Sequence, residues 1–394
     1  MSGLAVFFLL SFCSAAPPDA APKAGMDAAQ LSRIPARMKE YINAGALPGI
    51  VTLVQRKGEM VHLEATGWQD KEKDVALKTD TIFEVMSMTK PVTAVGIQML
   101  VEDGLIALND PVEKYLPEFR GQMRISSKEK DQLVLRRPSR PITIRDLLTH
   151  TSGMPEYPPE GMGGVNFYYA MNRTLAEAVS IFSQLPLEFE PGTKWSYSNT
   201  GIAALGRIIE AVSGKPYETF LADRVFAPLA MKDSFFFPPK EKVDRIASVY
   251  EMKDGKLQNV GPGILRKGAK YSMPEGGLYA TARDMAAFYQ MMLNGGAYNG
   301  KRLLSKYSVE AMTTVHTAGT GVNWGLGWSV TRGANSTLTL LSEGTFSHGG
   351  AFGTYGWVDP VRQVIGVFMT QRLGGGGEEA RGRFVEMTNA AVLN

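Results

Sequence analysis

The stretch that decides the fold is FEVMSMTKP, residues 83–91, in which a serine and a lysine stand three positions apart. The apolar pattern that follows predicts a helix from Met88 to just before Gly104. Residues three apart share a helix face, so the Lys90 ammonium can approach the Ser87 hydroxyl. The positive end of the helix dipole also favours negative charge developing at Ser87. The stretch predicts an activated nucleophile, with an ordinary N-cap serine and a solvated lysine as the alternative.

A second polar stretch, Tyr197-Ser198-Asn199, precedes a helical pattern from Gly201 to Val212. A tyrosine and an asparagine separated by one residue can direct a phenol and a carboxamide into the same crevice. The phenol can exchange a proton with Ser87 if the charge of Lys90 lowers its pKa. A packed tyrosine and an asparagine cap are the alternative.

A third stretch places two glycines, Gly349 and Gly350, directly after His348 on a predicted edge strand. Glycines at such a position allow a substrate to approach the backbone closely. The backbone N–H of Ala351 can then join that of Ser87 in binding an oxyanion. A glycine bulge beside a structural histidine is the alternative.

Composition limits the chemistry that the chain can perform. Of its 394 residues, 42 are Lys or Arg and 39 are Asp or Glu, so the net charge is +3, and no basic block points to nucleic acid as a partner. A single cysteine, Cys13, excludes internal disulfides, thiolate zinc clusters and iron–sulfur sites. No two of the four histidines are four positions apart, which excludes an HExxH helix. We therefore expect no metal site.

The amino end carries an apolar run from Leu4 to Phe12, followed by small residues. The run is too short to span a membrane and is typical of a signal peptide, here residues 1–16. No other stretch of the sequence is long and apolar enough to cross a bilayer. We expect a secreted or periplasmic protein.

Periodicity along the chain predicts an α+β fold, an antiparallel sheet flanked by helices with a helical insert lobe. Residues 27–108 and 266–394 form the α/β domain, and 109–265 form the helical domain, with a ligand crevice between them. The predicted helices outside the motifs cover 31–42, 144–148 and 378–392. The predicted strands 50–55 and 60–65 form a hairpin across Arg56–Glu59. The other predicted strands cover 325–332, 338–341, 354–358 and 364–370.

The three motifs occur in this order at spacings of about 110 and 150 residues, and together they resemble the serine β-lactamase/penicillin-binding-protein superfamily. Its pattern is SxxK, then YxN, then KTG or a substitute such as HxG. The resemblance is closest to the class C β-lactamase-like branch and its family VIII carboxylesterases. It covers roughly residues 27–393 and includes LLTHTSG at 147–153, where we expect His150 to hold a loop by hydrogen bonding.

The resemblance implies a role for each matching residue. Ser87 would be the acyl-accepting nucleophile, and Lys90 would help to deprotonate it and hold Tyr197 partly as a phenolate. Tyr197 would be the general base and the proton donor to the leaving group, while Asn199 would orient Lys90 and the substrate. The N–H groups of Ser87 and Ala351 would bind the oxyanion. Covalent catalysis of this kind needs no cofactor.

The departure from the family pattern is His348, which stands where penicillin-recognising enzymes usually keep lysine. A mostly neutral histidine favours small neutral ester substrates over carboxylate-bearing ones, although an ordinary pKa near 6.5 would let it gain charge toward pH 6. A β-lactamase or D-amino-acid peptidase is the alternative enzyme, and a non-catalytic acyl-binding sensor is a remote one. Tyr157 and the aromatic residues at 167–169 line either an acyl pocket or the core.

Overall fold

The structure is a computed structural model that describes residues 19–130, 132–162, 164, 172–261, 268–333 and 339–393. The predicted signal peptide lies outside these ranges. The α-helices of the described residues are α1 (Ala20–Lys23), α2 (Ala28–Leu31), α3 (Ile34–Asn43), α4 (Thr89–Glu102), α5 (Ile144–Leu148), α6 (Leu175–Phe182), α7 (Asn199–Ser213), α8 (Tyr217–Leu221), α9 (Ala282–Leu293), α10 (Lys306–Thr313) and α11 (Glu378–Ala390).

The strands of the described residues are short apart from the first two. They are β1 (Gly49–Arg56), β2 (Glu59–Asp70), β3 (Val75–Ala76), β4 (Phe83–Glu84), β5 (Arg124–Glu129), β6 (Gln132–Arg136), β7 (Val249–Lys253), β8 (Lys256–Gly261), β9 (Tyr279–Ala280), β10 (Ala297–Tyr298), β11 (Lys301–Arg302), β12 (Ser329–Val330), β13 (Phe346–Gly349), β14 (Tyr355–Asp359), β15 (Val364–Met369) and β16 (Arg372–Leu373).

One seven-stranded antiparallel sheet joins the two ends of the chain. Its strand order is β12-β13-β14-β15-β1-β2-β3, with Val51 of β1 opposite Met369 of β15 and Ala65 of β2. The predicted α+β fold and the predicted β1–β2 hairpin are confirmed. The proposed division between 27–108 with 266–394 and 109–265 stays a prediction.

Each face of the sheet is covered by a hydrophobic core. Side chains alternate along a strand, so Val51 and Leu53 of β1 face the larger core, which includes residues of α4 and α9. Ile50 and Val54 face the smaller core, which is covered by α3 and α11. The sheet therefore lies between two helical layers.

Helix α4 carries the predicted nucleophile at its amino end and is buried on every side from Thr89 to Leu100. An apolar sequence all round suits such a central helix, because no face of it meets water. Pro91 is accommodated because the first turn of a helix has few N–H groups that need an intrahelical acceptor. A deeply packed helix holds the residues at its amino end in a fixed position.

Two predicted strands differ from the structure. Only Ser329 and Val330 of the predicted strand 325–332 pair with β13, because the N–H of Gly327 donates instead to the carbonyl of Leu148 at 3.0 Å. Residues 334–338 lie outside the described ranges. In the predicted strand 338–341, Leu340 has φ +57°, a left-handed conformation outside the β region, and the structure has no strand at 339–341.

Candidate active site

Ser87 lies in the single 3₁₀ turn Met86–Met88 that leads directly into α4. The backbone of Met86 has φ +51°, an unusual value for a side chain of this size, and strained residues of this kind cluster at functional sites. The turn is held by Thr89, whose hydroxyl donates to the carbonyl of Met86 (2.6 Å) and accepts from the N–H of Leu278 (3.1 Å). The predicted position of Ser87 at a helix start is what the structure shows.

Lys90 points back toward this turn and contacts Ser87. Its Nζ donates to the Ser87 Oγ at 2.9 Å and to the backbone carbonyl of Glu275 at 2.6 Å. The side chain is completely buried, and burial lowers the pKa of the ammonium from 10.5 to about 7, against the opposing negative charges of Glu275 and Glu156. About half of the Lys90 amines are therefore neutral at pH 7, which suits a general base.

Tyr197 lies on the other side of Lys90, whose Nζ is 4.7 Å from the centre of the phenol ring. Burial raises the pKa of the Tyr197 phenol above its usual value of 10, and a hydrogen bond with Ser87 opposes this shift only in part. The phenol is therefore neutral at pH 7, and the expectation that Lys90 holds it partly as a phenolate is not supported. Of the two groups, Lys90 is the one whose pKa suits a base.

Asn199 is the first residue of α7 and is buried. The cap of this helix is Ser198, whose hydroxyl accepts from the N–H of Gly201 at 3.0 Å, so Asn199 is not the helix cap that the alternative interpretation required. The predicted role of Asn199 in orienting Lys90 and the substrate stays a prediction.

The HGGA stretch brings the end of β13 against the turn that contains Ser87. A Cβ atom at Gly350 would collide with the Val85 carbonyl and with the Thr354 hydroxyl, which itself donates to that carbonyl at 2.9 Å. Only glycine allows this approach. Gly349 pairs with Tyr355 of β14. Ala351 follows directly and is exposed, and its predicted pairing with Ser87 in binding an oxyanion stays a prediction.

His348 is buried and electrically neutral. Its Nδ1 lies 2.7 Å from the carbonyl oxygen of Gly349, an arrangement that places a hydrogen on Nδ1 and leaves Nε2 unprotonated. Burial and the charge of Lys90 lower the pKa of His348 from 6.5 to about 3. The expectation that His348 gains charge toward pH 6 is therefore wrong, because burial outweighs any attraction for a proton.

Four rings surround the phenol of Tyr197. They belong to His150, Trp195, Trp324 and His348, with ring centres 4.5, 6.3, 6.3 and 6.4 Å from that of the tyrosine. The two tryptophans were not predicted as site residues. The sequence could have indicated Trp195, because it precedes Tyr197 by only two positions. No sequence pattern indicates Trp324, which belongs to a distant segment of the chain.

The remaining predictions concern an aromatic acyl pocket, metal ligands and membrane-spanning helices. Tyr157 is 37% exposed, and residues 167–169, with which it was grouped, lie outside the described ranges. Within the described parts of the chain, no three His, Cys, Asp or Glu side chains come together as metal ligands. In the same parts, no helix has the length and apolar character needed to cross a membrane.

Comparison with known proteins gives consistent matches over most of the chain. A family model described as Beta-lactamase matches residues 34–388. A Salmonella enteritidis protein named "Putative D-alanyl-D-alanine carboxypeptidase" is 31% identical over 378 residues, which cover 88% of this chain and 84% of that protein. Protein Rv1367c of Mycobacterium tuberculosis is 30% identical over 359 residues, which cover 85% of this chain and 88% of that protein.

Solved structures share the fold. The structure of EstCE1, described as a hydrolase with promiscuous acyltransferase activity, matches with a TM-score of 0.78 at 24% identity, over 93% of this chain and 99% of that one. Simvastatin synthase (LovD) from Aspergillus terreus matches with a TM-score of 0.77 at 18% identity, over 92% and 98% of the two chains. At these identities the likeness concerns the fold alone.

Proposed function

Because the chain belongs to the β-lactamase family of serine hydrolases, we propose that it cleaves small neutral carboxylic esters through an acyl-enzyme formed on Ser87. The observation that carries this proposal is the contact of 2.9 Å between Ser87 Oγ and a completely buried Lys90 whose pKa is lowered to about 7. A neutral amine at this distance can accept the proton of the hydroxyl as it attacks a carbonyl carbon.

Over one catalytic cycle, Ser87, Lys90 and Tyr197 each return to their starting protonation state. In acylation, Ser87 passes its proton to the neutral Lys90 and bonds to the acyl carbon, and the Ser87 and Ala351 N–H groups bind the oxyanion. When the tetrahedral intermediate collapses, Tyr197 protonates the departing alkoxide and recovers a proton from Lys90. In deacylation, water attacks the acyl carbon and gives a proton to Tyr197 as Tyr197 passes its own to Lys90. Lys90 then protonates the Ser87 Oγ as the acid departs, and the free enzyme is regenerated.

The neutral state of His348 supports an ester as the substrate. A lysine at this position would offer a cation to the carboxylate of a β-lactam or of a peptide, whereas a histidine with a pKa of about 3 offers none at pH 7. The loss of such an ion pair weakens selection for charged substrates and leaves neutral acyl groups comparatively favoured. We therefore expect a small-molecule ester as the partner, and no nucleic acid.

One observation favours a second candidate, hydrolysis of carboxylate-bearing D-amino-acid peptides or β-lactams. The guanidinium of Arg381 on α11 lies beside Gly349, 3.6 Å from where a Cβ would stand, and packs on the ring of Tyr355. A cation at the end of β13 can therefore come from α11 instead of from the motif. The name of the Salmonella relative points in the same direction.

The experiment compares kcat/KM for p-nitrophenyl butyrate, nitrocefin and a D-Ala-D-Ala peptide in the wild type and in Arg381→Ala. We expect the ester to be turned over fastest and Arg381→Ala to change its rate less than about threefold. If the wild type instead prefers nitrocefin or the peptide, and Arg381→Ala lowers kcat/KM for that substrate by more than about tenfold, the second candidate is established. A stable acyl-enzyme without turnover would instead indicate an acyl-binding sensor.

We also propose export of the protein to the periplasm or the medium, supported by the apolar run Leu4–Phe12 and the small residues after it. Expression of the full chain in a bacterial host tests this. We expect an exported product that begins after residue 16, and an uncleaved product retained in the cytoplasm would contradict the proposal.

A further inference from the structure

His150 lies in the turn that follows α5, with its backbone in the left-handed region at φ +57°. Few side chains adopt this conformation, although Asn, Asp and His do so more often than most. Backbone hydrogen bonds hold the turn on both sides, because the N–H of Thr151 donates to Asp146 at 2.9 Å and the N–H of Gly327 donates to Leu148 at 3.0 Å. The surrounding backbone therefore fixes where His150 lies.

From this position His150 binds the two residues that flank Tyr197. Its backbone carbonyl accepts from the N–H of Ser196 at 2.9 Å, and its ring Nδ1 accepts from the N–H of Ser198 at 3.1 Å. One residue thus fixes the peptide groups on both sides of the tyrosine. The centre of the His150 imidazole is only 4.5 Å from that of the Tyr197 phenol, so the imidazole also limits where the phenol can lie.

The hydrogen bond at Nδ1 determines the protonation of the imidazole. An N–H group can donate only to an unprotonated nitrogen, so the ring is neutral and its hydrogen is on Nε2. Nε2 is buried without a hydrogen-bond partner among the described residues, and the ring packs against the indoles of Trp324 and Trp195 with centres 5.1 and 5.9 Å away. The contacts of the His150 side chain in the described part of the chain are therefore its hydrogen bond at Nδ1 and its ring packing.

We infer that His150 is a positioning residue for Tyr197, which it holds against Ser87 by accepting hydrogen bonds from Ser196 and Ser198 and by packing on the phenol ring. The inference rests on the proposed function, because it assigns His150 a role through the proton-donating phenol. A displacement of the phenol by about 1 Å is enough to lower the rate by about a hundredfold.

A double-mutant cycle with p-nitrophenyl butyrate as the substrate tests this inference. His150→Gly keeps the left-handed backbone and the carbonyl contact with Ser196 but removes the ring, and we expect kcat to fall about 10- to 100-fold with little change in KM. In the Tyr197→Phe background, the same substitution should lower kcat by less than about twofold, because the group that His150 positions is already gone. Equal losses in both backgrounds would overturn the inference.

Two further variants separate positioning from general structural support. His150→Asn keeps an acceptor near the place of Nδ1 and a residue that tolerates positive φ, so we expect at least a third of wild-type kcat. If His150→Gly does not fold, His150→Phe, which refills the space without an acceptor, replaces it in the cycle. A kcat in His150→Asn as low as that in His150→Gly would contradict a role for the acceptor.

His62→Asn is the matched control, because His62 is also buried and hydrogen-bonded, to the Thr52 hydroxyl at 2.8 Å, but lies within the sheet. We expect it to change the thermal midpoint while kcat stays within about twofold. The outcomes also separate the two proposals. Ester turnover that does not depend on Ser87 would refute the proposed function. Full activity in Tyr197→Phe would refute the proton-donating role of the phenol and this inference with it, whereas an impaired Tyr197→Phe with equal His150 losses in both backgrounds would refute only this inference.

Discussion

The state of Lys90 makes a quantitative prediction for the pH dependence of ester hydrolysis. With a pKa of about 7, the neutral amine makes up about a tenth of the enzyme at pH 6, half at pH 7 and about nine-tenths at pH 8. If this amine is the base that activates Ser87, kcat/KM should rise roughly tenfold between pH 6 and pH 8 and then level off. A lysine of ordinary pKa 10.5 would instead give a rise of about a hundredfold over this interval without a plateau.

The assay is kcat/KM for p-nitrophenyl butyrate between pH 5.5 and 9, corrected for spontaneous hydrolysis. Two variants identify the group responsible. Glu275→Gln removes a negative charge that raises the pKa of Lys90, so its midpoint should move to lower pH. Glu156, whose pKa is raised mainly by burial, is the other group that could cause the rise in kcat/KM with pH. If that carboxyl were responsible, Glu156→Gln would abolish the rise.

The outcome that would refute this reasoning is a profile without a midpoint between pH 6 and pH 8, or a midpoint that Glu275→Gln leaves in place. Either result would mean that burial does not set the protonation state of Lys90 in the way that the structure indicates.

Three further predictions concern single groups. Tyr197→Phe should lower kcat about 10²- to 10⁴-fold with an unchanged fold by circular dichroism, and retention of more than about a tenth of the activity would show that the phenol transfers no proton. Gly350→Ala should lower both kcat and the thermal midpoint, because a Cβ there would push β13 away from the Ser87 turn, and a crystal structure with an undisturbed turn would contradict this. The free energy of unfolding, measured in urea, should fall as the pH is lowered from 6.5 to 4, because His62 and His348 have folded pKa values of about 4 and 3 and the unfolded chain therefore binds their protons first. The slope is at most about 1.4 kcal/mol per pH unit for each histidine, and a free energy that does not change with pH would refute the prediction.

Local sequence patterns were enough to predict the elements that carry the motifs. The spacing of Ser87 and Lys90 predicted a helix start with the two side chains in contact, and the structure has both. The runs on either side of Arg56–Glu59 predicted the first hairpin, and Ile144–Leu148 was predicted with its observed bounds. These features depend on residues close together in the chain.

Features that depend on distant segments were not predictable in the same way. The partial neutrality of Lys90 follows from burial, and its second acceptor is the backbone carbonyl of Glu275, a group that every residue type possesses. The strand predicted at 325–332 is mostly absent because Gly327 bonds to Leu148. Sequence periodicity contains no information about such partners, which only the assembled fold provides.

The most direct test of the central claim is to identify the residue that carries the acyl group. Rapid acid quenching of the enzyme during turnover of p-nitrophenyl butyrate, followed by peptide mass spectrometry, should find a butyryl group on the peptide that contains Ser87. Ser87→Ala, folded by its thermal midpoint, should show no adduct and a loss of turnover of about a thousandfold or more. An acyl group on another residue, or an active Ser87→Ala enzyme, would contradict the account.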